Sequence, residues 1–167
     1  MTGAEAGYGR AAVLTVSDRC SRGEAEDRSG PAVGERCTSV LDLSVEHAVC
    51  PDDADAIAEQ LRRWVAAGVD LVLTTGGTGF APRDVTPEAT RRVIERDGSQ
   101  LLELARLRCF PEKPFAYLSR GVAGVAGSTL IINLPGSPRG AVEIFDHLVD
   151  QLPHLLRQIA GDADHGA

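Results

Sequence analysis

A chain of 167 residues with 43% hydrophobic and 25% charged side chains fits one globular domain, able to bury about 70% of its unfolded surface without staples. A net charge of −7 and 4% aromatic residues argue against a nucleic-acid binder, which would carry a basic face and stacking rings. No apolar run approaches the roughly 18 residues of a membrane span, the opening MTGAEAGYGR lacks the apolar core of a secretory signal, and Cys20, Cys37, Cys50 and Cys109 show no zinc-type spacing, so free thiols in a reducing cytoplasm are expected.

Residues 1–10 read as a short polar tail, 11–160 as a single domain and 161–167 as a second tail. Ala11–Val16 (AAVLTV) is a continuous apolar run, the pattern of a buried parallel strand. It leads into Ser17-Asp18-Arg19 and a charged loop reaching Arg28. A helix is expected from near Ser29, with Pro31 in its first turn and Val33, Cys37, Val40 and Leu41 on one face. Leu43–Val49 alternates as a second strand, with Leu43, Val45 and Val49 inward, and Cys50-Pro51-Asp52-Asp53 closes it. Ala54–Ala67 predicts a helix with Ile57, Leu61, Trp64 and Val65 as its buried stripe and Gly68 as its stop.

Val69–Thr75 is nearly all apolar and predicts a central strand. The next helix is expected to have Thr86 as N-cap, Pro87 at its first position and Glu88 complementing the dipole. Gly98-Ser99 should kink or interrupt it before Leu101–Leu107, and Pro111 and Pro114 end that segment. Phe115–Arg120 with Gly121, Gly124 and Gly127 reads as short strands or turns. Ser128–Asn133 is a fourth main strand, Leu134-Pro135-Gly136-Ser137-Pro138 a tight turn, and Arg139 to about Ile159 one helix that Pro153 can kink. The alternation predicts an α/β three-layer sandwich, a mostly parallel sheet flanked by helices.

Ligands of open α/β sheets collect outside the carboxyl ends of the strands. The loops expected there are Ser17-Asp18-Arg19, Cys50-Pro51-Asp52-Asp53, Gly76-Gly77-Thr78-Gly79 and Leu134-Pro135-Gly136-Ser137. Glycines let successive N–H groups turn into one concavity that suits a phosphate, although a glycine cluster is equally a plain tight turn. No Gly-Lys-Ser/Thr, dinucleotide fingerprint or GxSxG elbow is present. Asp84 could serve only the helix dipole and Asp52 only as a helix N-cap. Together with a phosphate nest, the two acids also fit a Mg²⁺ site shared with a phosphate substrate. Arg83 is either a phosphate-neutralising charge or a surface residue.

Thr75-Gly76-Gly77-Thr78-Gly79 followed by Arg83-Asp84-Val85-Thr86-Pro87-Glu88-Ala89 is a long and specific signature. With Val16-Ser17-Asp18-Arg19, Glu26 to Pro31, Pro51-Asp52-Asp53, Leu118-Ser119-Arg120 and Asn133 to Pro138, it resembles the MogA/MoaB-type molybdopterin-binding family of molybdenum cofactor biosynthesis, also seen as the G domain of gephyrin. The match spans about residues 11–160 in the family's order. The resemblance implies a homotrimer, with hexamers among MoaB-type members. It implies Mg-ATP-dependent transfer of AMP to the terminal phosphate of molybdopterin, with release of pyrophosphate, and a downstream protein that inserts molybdate. Asp52 and Asp84 correspond to the family's critical acids and would organise the metal. Ser17, Asp18, Thr75, Gly76, Gly77, Thr78, Gly79, Ser119, Arg120, Pro135, Gly136 and Ser137 are the expected substrate-binding set.

The alternative is a non-catalytic molybdopterin carrier of the MoaB type; the presence of both acids favours the enzyme. The sequence departs from the family at Ser99-Gln100, where Pro-Gly is common, and at Cys50, where a branched aliphatic residue is common. A thiol there reads as a small buried hydrophobe before a redox group. His47, His147 and His154 form no ligand pair, and Arg62-Arg63 and Arg91-Arg92 read as solvated helix faces.

Overall fold

The computed structural model describes residues 9–161; the predicted tails fall mostly outside them. In chain order the elements are β1 (Arg10–Val16), α1 (Asp18–Ser21), α2 (Ser29–Leu41), β2 (Ser44–Cys50), α3 (Ala54–Ala66), β3 (Leu71–Thr75), α4 (Thr86–Arg91), β4 (Arg96–Asp97), α5 (Gln100–Cys109), a 3-10 turn (Pro114–Leu118), β5 (Ala123–Ala126), β6 (Thr129–Leu134), α6 (Pro138–Asp146) and α7 (Leu152–Ala160). The six strands form one sheet in the order β2-β1-β3-β6-β5-β4. The first four of that order are parallel, and β5 runs antiparallel to both β6 and β4.

Register decides where the site can lie. Val16 stands opposite Cys50, Thr15 opposite Thr75, and Thr75 opposite Leu134, so four parallel strands end at one level. Their following loops therefore share one edge.

The buried strands carry a side chain to each face in turn. Ala11 and Val13 of β1 join Leu71, Leu73, Leu130 and Ile132 against α2, α5, α6 and α7, where Val33, Leu102, Phe145 and Leu156 are buried. Ala12, Leu14 and Val16 join Val72 and Ile131 against Ile57, Ala58, Leu61 and Trp64 of α3. This double coverage is why these strands read as unbroken apolar runs. Among the described residues no helix is long and apolar enough to cross a membrane.

Several elements differ from expectation. β2 is an edge strand, and Val49, expected to face inward, is 42% exposed near its end. Residues read as loop after Ser17 form the short α1, because the Ser17 hydroxyl accepts from Cys20 N–H at 3.2 Å and caps it. The helix after Thr86 stops at Arg91, before Gly98, because the chain must turn back to place Arg96–Asp97 beside β5. The expected long C-terminal helix is two helices. Pro153 does not kink it; it lies in the first turn of α7, where a missing N–H costs nothing.

One buried polar group ties the sheet to α4. Asn133 is 1% exposed; its Oδ1 accepts from Val122 N–H at 3.1 Å, and its Nδ2 donates to Thr74 Oγ1 at 3.0 Å and Thr90 Oγ1 at 2.9 Å. Asn133→Ala leaves the Val122 N–H dry and unpaired and takes a donor from Thr74 and Thr90, and is expected to cost about 3 kcal/mol. The check is the urea midpoint at unchanged slope; a midpoint equal to the parent's would refute the network's role.

Candidate active site at the carboxyl edge of the sheet

The glycine loop leaves β3 with two successive residues at positive φ, Gly76 at 95° and Gly77 at 66°. Space forbids side chains as well. A Cβ on Gly76 would lie 2.4 Å from the Val16 carbonyl oxygen, and one on Gly77 would lie 2.3 Å from Thr86 Oγ1. Gly136 approaches from β6, its built Cβ 3.3 Å from Gly76 Cα. The N–H of Gly76 extends the sheet ladder to Leu134 O at 3.2 Å, so it is not available to a phosphate. Among the described residues the N–H groups of Gly77, Thr78 and Gly79 make no backbone hydrogen bond, so these three are the loop donors left for an anion.

Thr86 does not cap α4. Val85 holds that position, and Thr86 is the first helical residue. Its hydroxyl donates to Gly76 O at 2.9 Å and its N–H to Gly77 O at 3.1 Å, so it staples the loop to the helix. Asp84 lies just ahead, half-buried, with Oδ2 accepting from Ala81 N–H at 2.9 Å.

Asp52 is not the cap of α3 either. Asp53 is, accepting from Ala56 N–H at 2.8 Å. Asp52 is instead locked to Asp18 by a reciprocal pair: Asp18 N–H donates to Asp52 Oδ2 and Asp52 N–H to Asp18 Oδ1, both at 2.9 Å. Burial holds the Asp52 carboxyl above its ordinary value; the Asp18 N–H opposes this, the charges of Asp18 and Asp84 add to it, and Arg83 opposes it. The charges of Asp18 and Asp84 thus both bear on Asp52, with Arg83 exposed nearby.

Two cavities flank the loop. The larger, about 610 Å³, takes in Gly77, Thr78, Gly79, Asp84, Ser119, Pro135, Gly136 and Ser137 from the expected set. The smaller, about 370 Å³, takes in Ser17, Thr75 and Gly76, with Gly136 common to both. Asp18, Asp52 and Arg120 line neither. Three serines do double duty. Ser17 Oγ accepts from Cys20 N–H, Ser137 Oγ from Gly140 N–H at 3.1 Å and Ser119 Oγ from Gly121 N–H at 3.3 Å, leaving each hydroxyl proton to donate to a ligand.

Arg120 is a strut. Its Nε donates to Gly79 O and its Nη2 to Asp84 O, both at 2.7 Å, and Nη1 to Glu88 Oε1 at 2.5 Å. That ion pair pulls the Glu88 carboxyl below its usual range. Arg120→Lys cannot serve three divergent acceptors and is expected to cost about 1–2 kcal/mol. Amide exchange of Gly79 to Asp84 should quicken; unchanged protection would refute the strut.

Sequence reasoning missed Lys113 and Glu143, which line the larger cavity and form an ion pair across it. The readable signal was helical spacing from Ser137, because Ser137, Gly140 and Ile144 sit on the cavity side of α6 with Glu143. Glu26, Asp27 and Ser29, which carry the resemblance but no expected site role, form a wall of the smaller cavity. Asp27 is held there by Thr15 Oγ1 at 2.8 Å and Gly30 N–H at 3.0 Å.

Three of the thiols are no nucleophiles. Cys37, Cys50 and Cys109 are buried, and burial pushes Cys37 up to about 11 and Cys50, with Asp52 and Asp53 adding to it, up to about 12. Cys50 is thus the small hydrophobe expected. No cluster of three metal-ligating side chains exists among the described residues. Asp52, with the charges of Asp18 and Asp84 bearing on it, nevertheless fits a divalent cation that takes its remaining oxygens from a phosphate, as Mg²⁺ does.

The chain is similar to known proteins over most of its length. It is 42% identical over 152 residues to the molybdenum cofactor synthesis protein cinnamon of Drosophila melanogaster, covering 90% of this chain but 25% of that protein. It is 39% identical over 153 residues to a molybdopterin adenylyltransferase of Helicobacter pylori, covering 90% of this chain and 87% of that one. The crystal structure of the molybdopterin biosynthesis enzyme MoaB from Thermus thermophilus superposes with a TM-score of 0.86 at 46% identity, over 92% of this chain and 97% of that one. Residues 12–154 match the family described as a probable molybdopterin binding domain. The signature loop, the mixed sheet and these similarities agree, and the chain belongs to the molybdopterin-binding domain family of the MoaB/MogA type.

Proposed function

We propose that the chain acts in molybdenum cofactor biosynthesis as a molybdopterin adenylyltransferase. A terminal phosphate oxygen of molybdopterin attacks the α-phosphorus of ATP, the bond to the β-phosphate breaks, and pyrophosphate leaves. The observation that carries this reading is the junction itself. Two cavities meet at Gly136, which packs against Gly76, with the loop N–H groups and three carboxylates nearby. A transfer between two bound molecules needs such a meeting point, and positioning with charge neutralisation supplies most of its catalysis.

The chain's residues have distinct tasks. The N–H groups of Gly77, Thr78 and Gly79 hold phosphate oxygens, and Ser119 and Ser137 donate to the ligand in the larger cavity. Asp52 and Asp84 would hold Mg²⁺, which when bound supplies positive charge to the phosphate oxygens. Asp18 orients Asp52 through the reciprocal bonds. The three acids also favour an enzyme over a carrier, because pterin binding alone does not need them.

Homotrimer assembly and hand-over to a molybdate-inserting partner belong to the same proposal. Supporting them is a group of exposed apolar side chains outside the lining of the larger cavity, Leu107, Phe110 and Tyr117. The test is to mix the purified chain with molybdopterin, ATP and Mg²⁺ and follow adenylated pterin and pyrophosphate. Equal amounts of both support the reading; pterin binding without either product makes the chain a carrier.

A further inference from the structure

The larger cavity has one polar end that the proposed reaction leaves unused. Lys113, just before the 3-10 turn, and Glu143, on α6, pair there through Nζ and Oε2, leaving Glu143 Oε1 for a second donor. Both side chains remain in reach of solvent, 38% and 26% exposed. The walls beside them are apolar. Phe115 is 79% exposed and Leu118 57%, and Pro114 and Ile144 complete the lining. Large apolar side chains held open around one ion pair suit a flat heterocycle with a polar edge.

The order of charges on that edge is informative. A carboxylate accepts two N–H donors side by side, and a neighbouring ammonium donates to a carbonyl. The 2-amino-4-oxo pyrimidine edge of a pterin presents that order: an amino group, a ring N–H and a carbonyl oxygen. Adenine presents an amino group next to a bare ring nitrogen, whose lone pair faces a carboxylate unfavourably. We infer that Lys113 and Glu143 are the specificity pair for the pterin ring, Glu143 accepting from the 2-amino group and N3–H, and Lys113 donating to the 4-oxo oxygen.

This assignment rests on the pterin being the substrate, as proposed above, but its test needs no transfer. Pterin and lumazine share ring size and the 4-oxo group. Lumazine carries a carbonyl where pterin has the amino group, so it turns an acceptor toward Glu143. Both fluoresce and can be titrated with the whole chain, at a pH where both rings are neutral and without ATP. The parent is expected to bind pterin at least about tenfold more tightly than lumazine, since a site built to accept N–H donors rejects an analogue lacking one. Glu143→Gln, whose amide can donate to the 2-oxo group, should bring the two within about threefold. Lys113→Met should weaken both ligands alike and keep the preference, because both carry the 4-oxo group. Glu143→Asp keeps the charge and retracts the carboxylate, so it should lose affinity but retain the sign of the preference, whether or not the Gln variant folds.

A merely structural Glu143 would move affinity without moving the ratio. Unchanged preference in Glu143→Gln, equal binding of the two rings by the parent, or no pterin binding at all overturns the inference. A chain that shows the switch yet makes no pyrophosphate keeps this inference and loses the adenylyltransferase reading. One that makes pyrophosphate with an unchanged ratio does the reverse.

Discussion

Asp84→Asn and Asp52→Asn are each expected to lower adenylyl transfer by at least about 100-fold while the chain stays folded, a size typical of removing one preorganised charge from a site of developing charge. The fold survives because the amide oxygen can keep the bonds already made. Asp84 need only accept from Ala81 N–H, and Asp52 from Asp18 N–H. What is lost is the negative charge beside the phosphates. Pterin binding in the larger cavity should persist in Asp52→Asn, as Asp52 lines neither cavity, and in Asp84→Asn, because Asp84 lines the larger cavity but the amide keeps its size and its bond to Ala81 N–H. Near-parental transfer by either variant would remove that acid from the mechanism.

Asp52 makes a second, opposite contribution to stability. Burial, helped by Asp18 and Asp84, holds its folded-state value above the ordinary one. The folded chain therefore keeps that proton to higher pH than the unfolded chain, and across this window stability falls as pH rises. At pH 7 the ionised carboxylate is a cost, which Asp52→Asn removes. The variant should unfold at the same or a higher temperature than the parent at neutral pH. The gap should close in acid, where both side chains are neutral. A variant clearly less stable at pH 7 than the parent, with the deficit shrinking in acid, would show that the carboxylate stabilises the fold.

Gly76→Ala is expected to cost about 3 kcal/mol or more, which for a domain of this size is a fall in Tm of about 6 °C or more. Two penalties combine. The residue sits at φ 95°, where a side chain is strained, and its Cβ would meet the Val16 carbonyl oxygen at 2.4 Å. That neighbour is strand backbone held in the sheet, so it cannot swing aside. Gly23 provides the control. It also has positive φ, 72°, but nothing within 4 Å of its built Cβ, so Gly23→Ala should cost only about 1–2 kcal/mol. Equal losses at the two positions would mean that the close approach of β1 to the loop contributes nothing.

Local chemistry made much of this molecule legible in the chain itself. AAVLTV and LVLTT read as strands because β1 and β3 are covered on both faces, so no charged residue interrupts them. The stripe Ile57, Leu61 and Trp64 marked α3 because helical spacing and burial coincide there. The glycines of the loop after β3 were legible because only glycine occupies positive φ against strand backbone without strain.

Roles that depend on a distant partner were not legible. Whether Asp52 or Asp53 caps α3 turns on which carboxylate faces Ala56 N–H and which faces Asp18, 34 residues away. Arg120 looked like a ligand residue, but three acceptors from Gly79, Asp84 and Glu88 converge on it. Gly76 looked like a phosphate donor, but parallel pairing with β6 gives its N–H to Leu134. Pro153 reads as a kink or as a helix start depending on whether residues 147–151 stay helical, which the packing around Leu148 and Leu152 decides.

By itself the sequence determined the α/β class, the glycine loop and the acids, because backbone freedom, periodicity and charge are properties of short segments. Only the tertiary structure decided the division into two cavities, the Asp18–Asp52 clasp and the Lys113–Glu143 pair. Each of these joins residues tens of positions apart, and strand order and register alone bring such residues within bonding distance.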